Sequence, residues 1–90
     1  MNDKLTTLRA QIDQIDVKIL DLIADRLQLA REVGEYKKMR NIPPLDSARW
    51  EDVLKNRLAK ASELALPEVS IRSIWQEFHA MSLQVEEEVT

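Results

Sequence analysis

With 90 residues and a formal net charge of −3, the chain is long enough for one domain and lacks the surplus of basic residues that nucleic-acid-binding domains usually carry. It contains no Cys, and its one His has no acidic or His neighbour at helical spacing, so the sequence predicts neither thiol chemistry nor a metal site. Hydrophobic residues make up 44% of the chain and charged residues 32%, and the chain contains one Gly. This composition favours an all-α fold.

The first predicted helix covers residues about 4–40, because no Pro occurs before Pro43 and Pro44 force an extended backbone. Such a helix spans ~54 Å, whereas a globule of this chain length is only about 30 Å across. Two shorter helices of the same chain cannot cover it. We therefore expect an intertwined homodimer in which the long helices of two copies pair.

Apolar residues of this helix recur at alternating steps of four and three, the spacing of a helix that packs along a seam against partner helices. The apolar seam positions are Leu8, Ile12, Ile15, Ile19, Leu22, Leu29, Val33 and Tyr36. Arg26 occupies the remaining position of the seam. A guanidinium is tolerated there only where an anion meets it, either a carboxylate of the protein, for example on the second helix, or one of a ligand.

Two shorter helices are predicted at residues about 46–63, with Asp46 as N-cap, and about 67–86, with Pro67 in the first turn. The residues expected to face the core are Trp50, Val53, Leu54, Leu58, Ala61, Ile71, Ile74, Trp75, Phe78 and Val85. The Glu run at 86–88 is expected to fray the last helix. The chain starts without an apolar leader and has no run of about 18 apolar residues, so we predict a cytoplasmic protein with no membrane partner.

Two cations of the first helix face the same side. Lys37 follows Arg26 by close to three turns, ~16 Å along the axis, so the pair suits the two ends of a small dianion. The alternative for Lys37 is a solvated side chain near the helix C-terminus.

Arg9 lies ~25 Å from Arg26, too far for one small ligand within one chain. If two antiparallel copies cross near Leu22, the partner's Arg9 falls level with residue 35 and joins the cluster. Otherwise Arg9 is simply exposed.

The shorter helices add further polar candidates. Asp46 and Arg49 lie one turn apart at the start of the second helix, where free backbone N–H groups also favour an anion. Ser82 and Glu86, four residues apart, interrupt the apolar face of the third helix. The alternatives are that Asp46 serves only as a helix cap and that Glu86 is solvated.

Taken together, these residues resemble those of the all-helical chorismate mutases. The resemblance covers nearly the whole chain, and its motifs are an Asp-x-x-Arg at the start of the second helix, a late Ser-x-x-x-Glu, and segments 8–9, 12–16, 23–26 and 30–37. It implies the Claisen rearrangement of chorismate to prephenate in Phe and Tyr biosynthesis, without metal or other cofactor. Another enzyme of the shikimate pathway is a further partner that the resemblance allows.

The resemblance also implies a role for each candidate residue. The positions that match the family's substrate-binding residues are the partner's Arg9, Arg26, Lys37, Asp46, Arg49, Ser82 and Glu86. The cations would bind the two carboxylates and the ether oxygen, Asp46 would lie by the ring hydroxyl, and Ser82 near a carboxylate. Lys37 and Glu86 would act at the ether oxygen, with Arg26 as a third catalytic residue. Glu86 must carry a proton to donate a hydrogen bond there, so activity is expected to fall as pH rises.

One position departs from the family pattern. The family usually carries Glu immediately after the Arg of the Asp-x-x-Arg motif, and this chain has Trp50, with Glu51 rotated by about 100°. A hydroxyl acceptor is therefore missing. This departure keeps two related enzymes as alternatives, an isochorismate pyruvate-lyase and a 4-amino-4-deoxychorismate mutase. An alternative of another class is a non-catalytic helical module for dimerisation or regulation.

Overall fold

The computed structural model describes residues 3–89 and consists of three α-helices, α1 (Asp3–Met39), α2 (Ser47–Glu63) and α3 (Glu68–Glu88). The predicted all-α class, with one very long and two shorter helices, is confirmed. Each predicted helix boundary lies within two residues of the observed one. The ends of the predicted domain, residues 1–2 and 90, lie outside the described residues.

The end of α1 turns the chain back toward its own last turn. Asn41 adopts a left-handed conformation with φ of 56°, and the N–H of Ile42 donates to the carbonyl of Lys37 at 2.8 Å. This closing pattern satisfies carbonyl groups that the end of a helix otherwise leaves free. It returns the following segment to α1, where the carbonyl of Pro44 accepts a hydrogen bond from Lys37 Nζ at 2.6 Å.

The ends of α2 are also defined by local hydrogen bonds. Asp46 is the N-cap, and its Oδ1 accepts a hydrogen bond from the backbone N–H of Arg49 at 3.0 Å. At the other end, the N–H of Leu66 donates to the carbonyl of Ala61 at 2.9 Å, and Ala65 takes φ of 54°. Both α1 and α2 therefore close with a left-handed residue, although neither position carries Gly.

Helix α3 packs against both other helices, whereas no Cα atom of α1 lies within 8 Å of one in α2 in the described chain. Contacts of Arg26 with Ser82 and of Lys37 with Glu86 indicate that α1 and α3 run parallel. The two helices approach closely at Gly34, where an added Cβ would lie 2.8 Å from the Cα of Glu86. A cleft consequently remains between α1 and α2, with α3 as its floor.

The expected core positions of α2 and α3 are covered to different degrees. Val53 and Ala61 are buried, and most of the others are half-buried. Ile74 was expected in the core but is 43% exposed, because it lies about 100° around α3 from the half-buried Trp75. The expected fraying at residues 86–88 is also wrong. These residues are helical, and the ion pair between Glu86 and Lys37 offsets the repulsion among the three carboxylates.

The apolar seam of α1 stays open in the single chain. Its eight apolar positions are between 45% and 66% exposed. The molecule extends over 61 Å in its longest direction, and its radius of gyration is 16.8 Å, compared with the ~12 Å expected for a globule of this length. Within residues 3–89, no helix combines the length and the hydropathy that a membrane span requires.

Candidate active site

The cleft between α1 and α2 encloses a cavity of about 430 Å³, lined by all three helices and the connection between α1 and α2. Six of the seven predicted site residues line it. Its polar lining consists of Arg26, Lys37, Asp46, Arg49, Arg57, His79, Ser82 and Glu86. Leu29, Val33 and Val53 contribute apolar surface. A cleft in which polar groups converge beside apolar surface is typical of small-molecule sites.

Arg26 lies half-buried between α1 and α3. Its Nη1 donates to Ser82 Oγ at 2.6 Å and to the carbonyl of Phe78 at 3.5 Å, and the guanidinium carbon is 5.3 Å from the centre of the Phe78 ring. Among the described residues, no carboxylate lies within ion-pair distance of it. The predicted alternative, an ion pair with an acid of α2, is therefore not formed.

Other cations surround Arg26 in place of an acid. Burial lowers the pKa of Arg26, and the nearby guanidinium groups of Arg57 and Arg49 lower it further. Neither of these two side chains forms an ion pair with another described residue. The cavity therefore carries an uncompensated positive charge that would attract a small anion.

Lys37 lies at the other end of the cavity and is not a solvated side chain. Its Nζ is 2.7 Å from Glu86 Oε1, and the two side chains are 16% and 12% exposed. A second hydrogen bond, to the Pro44 carbonyl, fixes the ammonium group from the opposite side. The turn after α1 and the last turns of α3 thus hold Lys37 and Glu86 together at the cavity wall.

Asp46 and Arg49 line the cavity from the start of α2, and both are exposed. One Asp46 oxygen is occupied by the helix cap. Arg9 is the predicted site residue that does not line the cavity, because it lies on the exposed first part of α1, ~25 Å along the axis from Arg26. Only a second copy of the chain could bring an Arg9 to this site.

Two polar residues of the cavity were missed from the sequence. Arg57 continues a row of α2 with Arg49 and Val53, each four residues apart, and His79 precedes Ser82 by one turn on α3. Helical spacing from the predicted residues was the signal that could have found them. His79 stacks on Trp50 with ring centres 4.2 Å apart and an angle of 13° between the planes. In the described part of the chain, no group of acidic and His residues is arranged to hold a metal ion.

The sequence of the chain also matches a known protein family. Residues 8–87 match the family model described as chorismate mutase type II. The chain belongs to the type II chorismate mutase family. The match includes the long helix from Leu8 and extends past Glu86, so all cavity residues fall within it.

Individual chorismate mutase relatives agree with this assignment. The chain is 45% identical over 60 residues to a chorismate mutase of Methanocaldococcus jannaschii, covering 67% of this chain and 60% of the relative. It is 27% identical over 86 residues to a 4-amino-4-deoxychorismate mutase of Streptomyces pristinaespiralis, covering 96% of this chain and 67% of the relative. It spans only 17% of the length of the T-protein of Enterobacter agglomerans and 16% of the bifunctional chorismate mutase/prephenate dehydratase of Escherichia coli.

The fold of this chain is also found in a solved structure. A conserved hypothetical protein from Pyrococcus furiosus superposes with a TM-score of 0.74 and 31% sequence identity, over 96% of this chain and 99% of that one. The arrangement of one long and two shorter helices is therefore found in a known structure as well.

Proposed function

We propose that the protein is a chorismate mutase, an isomerase that converts chorismate to prephenate by an intramolecular Claisen rearrangement. The family match supports the reaction class. The observation that carries the proposal is the cavity in which Arg26, Lys37, Arg49 and Arg57 converge while Arg26 lacks an acidic partner. A small dianion would supply the missing negative charge, and chorismate carries two carboxylates.

Substrate positioning follows from the order of the cations along the cleft. Arg26, already oriented by Ser82, would bind one carboxylate, and Arg49 at the start of α2 would bind the other. Asp46 would lie near the ring hydroxyl. Holding both carboxylates selects the compact chair-like conformer, in which the enolpyruvyl carbon meets the ring carbon to which it becomes bonded. The enzyme needs no nucleophile for this step, since one carbon–carbon bond forms as the ether bond breaks.

Negative charge grows on the ether oxygen as its bond to the ring breaks. Lys37 is the residue proposed to stabilise that charge, because the Pro44 carbonyl and Glu86 already fix its ammonium group at the cavity wall. Glu86 would add a second hydrogen bond when it carries a proton. A fixed cation aimed at developing charge gains more in the transition state than in the bound substrate.

The proposed active form is a homodimer. The exposed seam of α1 is a continuous apolar face that a second long helix could cover, with the two copies antiparallel. In that arrangement the partner's Arg9 would enter the cavity beside Lys37 and add a cation to the site. A cytoplasmic location, and association or fusion with another enzyme of the shikimate pathway, belong to the same proposal.

A second candidate is 4-amino-4-deoxychorismate rearrangement, favoured by the relative from Streptomyces pristinaespiralis and by Trp50 in the cavity. The test incubates the protein separately with chorismate, 4-amino-4-deoxychorismate and isochorismate and identifies products by liquid chromatography and proton NMR, because a rearrangement leaves the mass unchanged. Prephenate from chorismate supports the proposal. Turnover of the amino compound alone supports the second candidate, pyruvate release from isochorismate indicates a lyase, and no turnover at all favours a non-catalytic module.

A further inference from the structure

The stacked pair of Trp50 and His79 forms part of the cavity wall between α2 and α3. The ring planes are only 13° from parallel, so the indole of Trp50 restricts the imidazole of His79 to one plane. The edge of the imidazole that carries the nitrogens can then contact a ligand. Both side chains are half-buried. His79 therefore presents a polar ring in a fixed position at the cavity wall.

The hydrogen-bonding groups of the cavity divide into those already used and those left over. Arg26 is bonded to Ser82, and Lys37 to Glu86 and Pro44. His79 makes no hydrogen bond to another described residue, and its ring stacks on Trp50. A neutral imidazole has one donor and one acceptor nitrogen, so it can serve a group that both donates and accepts.

Charge further restricts what His79 would bind. The cavity already provides four cationic side chains, which suffice for two carboxylates and an ether oxygen. His79 lies one turn, ~4.5 Å along α3, before Ser82, and ~10 Å before Glu86, so it is at the end of the cavity remote from the ether-oxygen residues. The remaining group of the substrate is its uncharged ring substituent. Asp46 already uses one oxygen in the helix cap, whereas both nitrogens of His79 are free to meet that substituent among the described residues.

We propose that His79, held in place by Trp50, is a specificity-determining residue that hydrogen-bonds the ring hydroxyl of the substrate. The proposal rests on the proposed mutase function. It also accounts for Trp50, which provides no hydroxyl acceptor on α2 and instead supports one from α3. Recognition of the ring substituent thereby moves from one wall of the cleft to the other.

The test compares wild type and His79→Phe on chorismate and on the analogue in which hydrogen replaces the ring hydroxyl. Phenylalanine retains a flat ring against Trp50 and removes both nitrogens. We expect kcat/KM for chorismate to fall about tenfold, the usual effect of one hydrogen bond, and kcat/KM for the analogue to stay unchanged. Equal losses on both substrates would show a purely structural role and overturn the proposal.

Two further variants make the result unambiguous. Leu83→Val changes another lining residue of α3 and should affect both substrates equally. If the Phe variant is unfolded by circular dichroism, His79→Leu replaces it under the same criterion. The two proposals fail in different ways. If the proposed mutase function is wrong, the wild type converts none of the three substrates named above. If only the His79 proposal is wrong, the wild type is active and His79→Phe lowers kcat/KM equally for chorismate and for its deoxy analogue.

Discussion

A half-buried guanidinium without an acid is costly for a protein to keep, since burial and two neighbouring guanidinium groups both disfavour its charge. Arg26 nevertheless occupies a position where a Leu would pack against the neighbouring helices. A residue that lowers stability and faces a cavity is one that function retains. The cost at this position is thus an argument for anion binding that does not depend on any relative.

Arg26→Leu separates an enzyme from a dimerisation module. For an enzyme, kcat/KM for chorismate should fall by at least about 100-fold, since a cation that stabilises transition-state charge is lost, while thermal unfolding occurs at or above the wild-type temperature. Steady-state kinetics and differential scanning calorimetry measure the two effects. Arg31→Leu is the matched control on the same helix, because Arg31 is exposed and its side chain hydrogen-bonds Gln28, away from the cavity. Unchanged kinetics in the Arg26 variant would refute the role in catalysis.

Glu86 predicts the pH dependence of the reaction. Only the protonated carboxyl can donate a hydrogen bond to the ether oxygen. We therefore expect kcat/KM to fall as pH rises and the carboxyl loses its proton.

Glu86→Gln should flatten this profile, because an amide donates at every pH and its oxygen can still accept from Lys37. The measurement is kcat/KM from acidic to mildly basic pH for wild type and variant. Glu88→Gln, a change at an exposed residue two positions away, should retain the wild-type slope. A wild-type profile that is already flat would exclude a catalytic proton on Glu86.

At the residue scale, the sequence identified the positions that are anomalous for their surroundings. Arg26 was visible because it breaks a regular apolar pattern, and Ser82 and Glu86 because they interrupt another. The contact of Trp50 with His79 was not visible, since it depends on the register between α2 and α3, which no local pattern encodes. Arg57 was missed because a cation on a helix is usually solvated.

At the scale of elements, the closing turn of α2 contains a strained residue. Ala65 has φ of 54°, a conformation that costs an L-residue about 1–2 kcal/mol and Gly almost nothing. Ala65→Gly should therefore raise the free energy of unfolding by about 0.5–1 kcal/mol after the greater chain entropy of Gly is subtracted. Urea denaturation measures it. Ala59→Gly, the same change at an exposed helical position, should lower stability by about 1 kcal/mol. A loss in both variants would contradict the argument.

The contact between α1 and α3 depends on the absence of a side chain at Gly34. A Cβ there would lie 2.6 Å from Val89 Cγ2 and 2.8 Å from the Cα of Glu86, so the backbone of α3 would have to move away. Gly34→Ala should displace Glu86 from Lys37 and lower kcat/KM by about 100-fold, as expected for misplacement by about 1 Å. The higher helix propensity of Ala, about 1 kcal/mol, offsets part of the lost stability.

A second substitution tests which contact matters. Adding Val89→Ala to Gly34→Ala removes the side-chain clash but leaves the clash with the Glu86 backbone. The double variant should stay as impaired as the single one in the same kinetic assay. Recovery to wild-type kcat/KM would mean that only the flexible Val89 side chain obstructs the added methyl group.

Element boundaries were largely predictable because they have local causes. Pro43 and Pro44 stop α1, and Asp46 caps α2 through its own side chain. The end of α3 was not predictable in this way, because the carboxylate run at 86–88 repels locally and is held by Lys37, 49 residues earlier in the chain. Long-range ion pairs of this kind override local propensity.

At the scale of the whole molecule, the length of α1 predicts that one chain cannot form a complete hydrophobic core. Residues Ala30, Gly34, Val53 and Ala61 are buried in the described chain, while the α1 seam is exposed from Leu8 to Tyr36. An apolar face of that extent is unfavourable in water, which supports the proposed pairing with a second copy. What the chain pattern could not determine is the crossing point of two such helices, on which the position of Arg9 depends.

Mixing two inactive variants tests both the dimer and the position of Arg9. Arg9→Ala and Arg26→Leu should each abolish most activity, because every site of either homodimer lacks one cation. After the two are unfolded and refolded together in equal amounts, half of the dimers should be mixed, and each mixed dimer contains one site with both arginines intact. Activity should then recover to about a quarter of wild type, the fraction expected for random pairing in a two-fold dimer. If Arg9 acted within its own chain or not at all, no site would be repaired, and the mixture would show only the average of the two separate variants.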